Sequence, residues 1–405
     1  MTAGRPYRPV RDPLTRPIER HVPPALRSRA MHAMSAHAAL GRFVLQHCTD
    51  CGAVTYPPRD ICPACWGDLA WADQARGATI LAETVIRTTT DLYFQAHLPW
   101  RIGTAALDAG PVAIVHLHRD LAVGDRAAMQ LMLDKGGNAA LFALPVQGED
   151  PMADPQWREF VVPVHDRAVL VTDGDTALGK AVVRALVAAG AGAVFAGTSA
   201  PSVPALAADD PRRAAGVRQV PLDLTDGRSV ARCIAQLGGP IDIVVNTARF
   251  VRPGGVRADA GLLHQKRALD LGVLGLLRLA EAVAPILAGR PAGAFVDILS
   301  IHALAGDARF AGFSAAEAAR HSLLQSFRHE MRAAGVRVLA VFAGAIDDAD
   351  HQSQPSPRVA PARLAQGVID ALALGREQHC VGDVARDLMD RWLADPATTL
   401  REQNG

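Results

Sequence analysis

Two Cys-x-x-Cys pairs, Cys48 with Cys51 and Cys62 with Cys65, stand ten residues apart, with Gly52 and Gly67 beside them. Sulfurs three positions apart on a tight turn converge on one point, and two such turns close a tetrahedral thiolate cage of the kind that holds zinc. Four thiolates leave no open coordination position, so the expected ion is structural and not catalytic. Cys233 and Cys380 stand alone and far away. That is metal spacing, not a disulfide framework.

The chain has 405 residues, 49% of them hydrophobic and 20% charged, enough for two or three ordinary globular cores. A net charge of +1 gives no global electrostatic reason for nucleic acid or an anionic membrane as partner. We expect no nucleic acid, no membrane and a cytoplasmic protein. Prolines at 6, 9, 13, 17, 23 and 24 break the first stretch, and no run of eighteen apolar residues follows, so neither a signal peptide nor a membrane span is expected. Residues 1–24, with Arg5, Arg8, Arg11, Arg16 and Arg20, form a flexible arm, read either as a solvated tail or as a basic arm for a partner.

A short helix within 25–46 leads into the strand Phe43-Val44-Leu45. After the cysteines come strand-length apolar runs at 78–88, 100–107, 111–119, 126–133 and 139–144, which predict a small Greek-key barrel of the OB type over 25–145. Residues 146–166, rich in proline and acidic groups, read as a linker. From Arg167 the period changes. Strands at 168–171, 193–196, 218–222, 241–246, 294–299, 337–342 and 379–381 alternate with helices at 178–189, 227–236, 260–288, 313–334 and 361–373. This predicts a doubly wound parallel sheet over 167–395, with a tail at 396–405.

The segment from Phe43 through Cys48, Cys51, Tyr56-Pro57-Pro58-Arg59, Cys62 and Cys65 to a barrel beginning at Gly77 resembles the zinc-ribbon OB-fold family of acyl-CoA-associated proteins. The resemblance implies a thiolase-like partner subunit and an acyl-CoA thioester held near the barrel. An OB barrel also serves nucleic acids, but that needs a basic, aromatic-rich face, and these strands carry few lysines and arginines. His116 and His118, two apart on one strand, read as an outward-facing polar pair, with metal ligation as the alternative.

The run from Val171-Thr172-Asp173-Gly174 to Gly179-Lys180 resembles the cofactor turn of the short-chain dehydrogenase/reductase family, Thr-Gly-x-x-x-Gly-x-Gly. Leu222 to Asp226, with Asp223, resembles its Asp-x-Thr-Asp segment, Asn246-Thr247-Ala248-Arg249 its Asn-Asn-Ala-Gly, and Ala343-Gly344 its Pro-Gly. The resemblance implies a Rossmann fold, cofactor contacts at Gly179, Asp223 and Asn246, and a dimer formed by the helices at 269–288 and 313–334. The departures bear on function. Asp173 and Ala177 stand where the first two glycines belong, Asp175 or Thr176 can cap the helix, and each carboxylate would repel a pyrophosphate by about 1 to 4 kcal/mol. The second strand ends Ala196-Gly197-Thr198, without an acid for a ribose or an arginine for its phosphate.

In that family a Tyr-x-x-x-Lys pair moves the proton beside a serine. Ser300 matches the serine, but Phe313 and Glu317 occupy the tyrosine and lysine positions, and Gly272 that of the relay asparagine. Phenylalanine has no proton to give, and a glutamate disfavours ionisation of any neighbouring acid. No catalytic residue is therefore assigned, and NAD(P) is not expected to bind. Two rivals stay open. One is a site rebuilt from Ser300, His302 and Glu317, with a serine and histidine two apart on an extended segment; the other is a working NAD(P)-dependent oxidoreductase with an atypical site. His321 and His329 read as solvent-facing. The expectation we carry forward is a non-catalytic partner of a thiolase-like enzyme, dimerised through its reductase half.

Overall fold

The computed structural model describes residues 21–23, 28–147, 150–199, 209–257 and 261–405, so the arginine-bearing arm lies outside the described residues. The ribbon begins with α1 (Arg29–Ala39), whose N-terminus is capped by the Ser28 hydroxyl accepting from the Met31 amide at 3.1 Å. It continues into a sheet of β1 (Val44–Cys48), β2 (Val54–Thr55) and β3 (Leu69–Asp73), with β1 in the middle and all pairs antiparallel.

Next come β4 (Gly77–Ile86), α2 (Leu92–Ala96), β5 (Trp100–Leu107), β6 (Val112–Leu117), β7 (Arg126–Leu133) and β8 (Ala139–Pro145). The five strands close into a barrel in the order β4-β5-β6-β8-β7; β6 and β8 run parallel and the other pairs antiparallel. Alternate residues point inward, as in Ala113, Val115 and Leu117 of β6, and α1 adds Met34 to the same core as Ile80, Leu117 and Met129.

The stretch expected as an open linker is instead a packed wedge. It forms a single 3-10 turn (Pro151–Ala153) and α3 (Pro155–Arg158), and its Trp157 and Phe160 meet the Phe142 ring edge-on at 5.0 and 5.2 Å. Apolar side chains bunched at 157–162 outweighed the prolines around them. This wedge also corrects the expectation for His116 and His118. Strand alternation does put His116 on the outer face of β6, but the wedge covers that face. His116 accepts from Trp100 Nε1 at 2.9 Å, and burial pushes its pKa down to about 4. His118 is buried 3.8 Å from Asp154.

The second half contains β9 (Ala168–Val171), α4 (Ala177–Ala188), β10 (Ala193–Thr198), β11 (Val217–Pro221), α5 (Gly227–Gln236), β12 (Ile243–Asn246) and α6 (Gly261–Ala268). A π turn (Leu269–Leu274) joins α6 to α7 (Gly275–Ala288). Then follow β13 (Ala294–Ser300), α8 (Ala311–Arg332), β14 (Arg337–Ala343), α9 (Pro361–Ala373), β15 (Gln378–Val381), α10 (Asp383–Ala394) and α11 (Pro396–Asn404). The seven strands are parallel in the order β11-β10-β9-β12-β13-β14-β15, with a hydrophobic core on each face of the sheet. The chain winds outward in both directions from β9 and β12. Their carboxyl ends therefore flank the switch point where such sheets bind ligands.

The expected tail at 396–405 is mostly helix α11, tied back by the Asn404 amide donating to the Gly306 carbonyl at 2.8 Å. His321, expected in solvent, lies half-buried with its ring edge-on to Phe342 at 5.3 Å, whereas His329 is exposed. The two halves meet directly: buried Arg337 of β14 donates from Nη2 to the carbonyls of Leu133 and Glu159, at 3.0 and 3.2 Å. Among the described residues one helix, Leu262–Ala288, is long and apolar enough to cross a membrane by length and composition, but one side of it, with Leu276, Leu279, Val283 and Leu287, sits in the core.

Candidate metal centre and reductase crevice

Strand β1 delivers Cys48 to a turn that carries Cys51, and a second turn carries Cys62 and Cys65. All four Sγ atoms lie within 4.8 Å of one another, with Cys48 and Cys65 at 3.3 Å and Cys51 and Cys62 at 3.8 Å. A tetrahedral zinc with Zn–S near 2.3 Å needs sulfurs about 3.8 Å apart. The donor set and its spacing fit structural zinc. Each turn closes on a backbone bond of 3.0 Å, from Gly52 to Cys48 and from Trp66 to Cys62. Gly52 takes the expected left-handed backbone, φ +73°, but in the second turn that conformation falls to Trp66, φ +67°, not to Gly67. The Cys51 amide near Cys48 Sγ holds the Cys48 thiol down at about 7, favouring the thiolate a metal needs. Gln46 pins the Pro57-Pro58-Arg59 loop through two amide bonds to Arg59, at 2.7 and 2.9 Å.

The other candidate lies at the carboxyl ends of β9, β12, β13 and β14. Thr176 caps α4, its hydroxyl accepting from the Gly179 amide at 3.0 Å. Gly179 is required by close approach, since a Cβ there would come within 1.8 Å of the Asp173 carbonyl. Asp175 does not cap the helix. It accepts from the Thr198 hydroxyl and from Arg212 Nη1, and Arg212 also clamps Asp210 at 2.7 and 2.9 Å. An arginine thus does reach the end of the second strand, delivered from residue 212. Asp173 is left mostly buried, and burial together with the Asp175 charge pushes its pKa up to about 6.

The residues expected to contact a cofactor are engaged internally. Asp223 accepts from the amide and hydroxyl of Thr225 at 2.9 and 2.7 Å, closing a turn. Asn246 is buried, accepting from the Thr172 hydroxyl at 2.9 Å and donating to Asp297 at 2.8 Å.

Phe313 stands 3% exposed against Val251 and Phe310, with its ring edge-on to His351 at 6.4 Å; His351 in turn holds Asp348 at 2.7 Å. Glu317 accepts from the Ser300 amide and from Arg320 Nη1, both at 2.5 Å, and Arg320 Nη2 reaches Asp297, also at 2.5 Å. Its charge is therefore neutralised by Arg320 and does not face an open site. Arg320 is fully buried, and these two carboxylates outweigh its desolvation, so its pKa rises. The Arg320 stem lies 3.4 Å from where a Cβ on Gly272 would stand.

The Ser300, His302 and Glu317 arrangement does not form a nucleophile and base. Strand β13 ends at Ser300 and the chain turns into a 3-10 segment, so two residues apart no longer means the same face. The Ser300 hydroxyl accepts from the backbone amide of His302, while the His302 ring Nδ1 meets the Ala305 carbonyl at 3.1 Å. Sequence reasoning also missed Arg249, Arg212, Arg320 and the Asp348–His351 pair. The spacing of Glu317 and Arg320, three apart on one helix, carried a signal for one of these. Arg212 carried none.

The short chain dehydrogenase family matches residues 167–358, and the ChsH2, rubredoxin-like zinc ribbon domain matches residues 35–71. An uncharacterized oxidoreductase of Staphylococcus aureus (strain USA300) is 26% identical over 213 residues, 51% of this chain and 91% of that protein. The 1-deoxy-11-beta-hydroxypentalenate dehydrogenase of Streptomyces exfoliatus is 31% identical over 199 residues, 47% of this chain and 72% of that protein. Among solved structures, a short chain dehydrogenase from Burkholderia cenocepacia J2315 in complex with NADP superposes with a TM-score of 0.54 at 25% identity, covering 59% of this chain and 98% of that one. A zinc ribbon domain is thus joined in one chain to a Rossmann-type sheet, and through that second half the chain belongs to the short-chain dehydrogenase family.

Proposed function

We propose that this chain is a non-catalytic accessory subunit: its zinc ribbon and barrel dock on a thiolase-like enzyme acting on acyl-CoA thioesters, and its reductase half serves as a dimerising scaffold. The observation that carries it is the buried phenyl ring of Phe313 where the family's proton donor belongs. Glu317 beside it is spent on Arg320 and the Ser300 amide. Loss of general acid/base chemistry alone costs about 100- to 10,000-fold in rate.

The barrel order, first-second-third-fifth-fourth with third and fifth parallel, supports an OB-type reading. The ribbon's likeness to acyl-CoA-associated proteins supports the thiolase partner. Exposed Leu269, Leu274 and Leu277, beside the core side of the same helical stretch, support a homodimer. A cytoplasmic location accords with all of these.

A second reading, an NAD(P)-dependent oxidoreductase with an atypical site, is favoured by the 31% identical dehydrogenase and by the NADP-bound structure. Two measurements separate them. The purified chain should transfer no hydride between NADH or NADPH and a broad panel of carbonyl compounds, and, when co-expressed with the thiolase-fold enzymes of its own genome, it should co-elute with one of them in about two copies each. Deleting residues 1–145 should abolish that complex, and Phe313→Tyr should leave it untouched. Turnover by the unmodified chain, or a thiolase fully active and dimeric without it, overturns the accessory role.

A further inference from the structure

Arg249 takes the position that is glycine in the family's Asn-Asn-Ala-Gly segment, just beyond the end of β12. Its side chain crosses to the neighbouring strand, where Nη2 donates to the Ile298 carbonyl of β13 at 3.2 Å. Its Nε and Nη1 are shut off from solvent, yet find no acceptor among the described residues. The charge feels Asp173 beyond β9, Asp297 on β13, Glu317 on α8 and Asp348 beyond β14, and also the like charge of Arg320 on α8. The bond to Ile298 sets the guanidinium near the carboxyl ends of β12 and β13, next to the switch point between β9 and β12 where such sheets bind ligands.

A guanidinium is a planar cation, and so is the ring of an oxidised nicotinamide. A glycine at 249 would leave room over β12 and β13, whereas an arginine fills it with a comparable shape and charge. Burying a cation with two donors unpaired is costly. Here burial and the like charge of Arg320 outweigh the pull of the acids, of which Glu317, Asp297 and Asp348 are already paired with Arg320 and His351, so the Arg249 pKa falls. We propose that Arg249 is an internal plug: its guanidinium occupies the nicotinamide half of the crevice and closes it to dinucleotides.

The proposal rests on the reading that the domain binds no dinucleotide, and the experiment keeps the two apart. The full chain and its Arg249→Gly and Arg249→Met variants are titrated by calorimetry with NAD, NADP and ADP. The same three side chains are also compared on an Asp173→Gly/Ala177→Gly background, where the phosphate turn carries the family's glycines. Arg249→Gly should tighten NAD or NADP binding by about tenfold or more on that background, one decade of dissociation constant. Arg249→Met, which fills the space without charge, should not, and ADP, which lacks the nicotinamide, should bind all three alike. Circular dichroism verifies the fold, and Arg249→Ser replaces the glycine variant if that one unfolds. Equal NAD affinity with arginine and glycine at 249, or an equal gain for ADP, overturns the plug while leaving the accessory role intact. Tight NAD or NADP binding by the unmodified chain overturns both.

Discussion

The zinc ribbon and the reductase crevice are built alike, from polar groups on turns that end separate strands, but the groups resolve differently. In the ribbon, four sulfurs within 4.8 Å of one another have no counter-charge of their own, and only a metal satisfies them. In the crevice, Asp175 takes Arg212, Glu317 and Asp297 take Arg320, Asp348 takes His351, and Thr176 takes the Gly179 amide of α4. A site whose polar atoms are all aimed at one missing point recruits a ligand. In the crevice the charged groups mostly pair with each other, and the buried donors left over, Nε and Nη1 of Arg249 and Nε of Arg320, belong to arginines inside it.

The contrast can be broken most forcefully at the metal. Cys48→Ser or Cys62→Ser should release the zinc and unfold the ribbon, because binding worth about 10 kcal/mol or more is also folding energy in such sites. The reductase half should keep its own unfolding transition. Elemental analysis and calorimetry measure both, and a variant that retains a full equivalent of zinc would place the ion elsewhere.

In the crevice the corresponding test is Arg320→Met. Removing one partner leaves Asp297 and Glu317 buried and unpaired, a loss of about 3 to 5 kcal/mol in urea unfolding of the second half. Adding Asp297→Asn and Glu317→Gln should recover much of it. For the same reason, installing lysine at 317 would set a cation against Arg320 and is expected to destabilise the domain, not to repair its chemistry. An Arg320→Met variant as stable as the parent would show that this network contributes nothing.

A smaller effect depends on pH. Asp173 holds its proton more tightly folded, near 6, than unfolded, near 3.8. Its contribution to stability is therefore present below pH 3.8 and lost as pH rises through 6. Asp173→Asn should melt higher than the parent above pH 6, by about 2 kcal/mol at most after solvent screening, with the gap closing towards pH 4. A gap independent of pH would remove Asp173 as its cause. Smallest of all, Thr176→Ala should cost about 1 kcal/mol through loss of the α4 cap, read as a drop in melting temperature of the second half alone.

Much of the architecture was legible. Helix α5 falls at 227–236 and α9 at 361–373, as periodicity predicts, because both lie on the sheet with one apolar stripe inward. Two segments expected to be loose, 146–166 and 396–405, are ordered over their described residues. Asp154 before Pro155 and Asp395 before Pro396 start helices there, so part of the proline and acidic composition read as a linker at 146–166 is an N-terminal cap, with the apolar side chains at 157–162 packing it down.

Sequence alone determined the four cysteines at metal-ligand spacing, the change of period at Arg167, and the phenylalanine and glutamate at 313 and 317, because each is a matter of residue type at fixed local spacing. Only the tertiary structure decided what surrounds these residues. Arg212 meets Asp175 across 37 positions, Asn246 meets Asp297 across 51, and Arg249 meets the Ile298 carbonyl across 49. Spacing along a chain cannot report such meetings. They follow from the parallel sheet, which brings the ends of distant strands to one edge where charges must find partners or stay solvated.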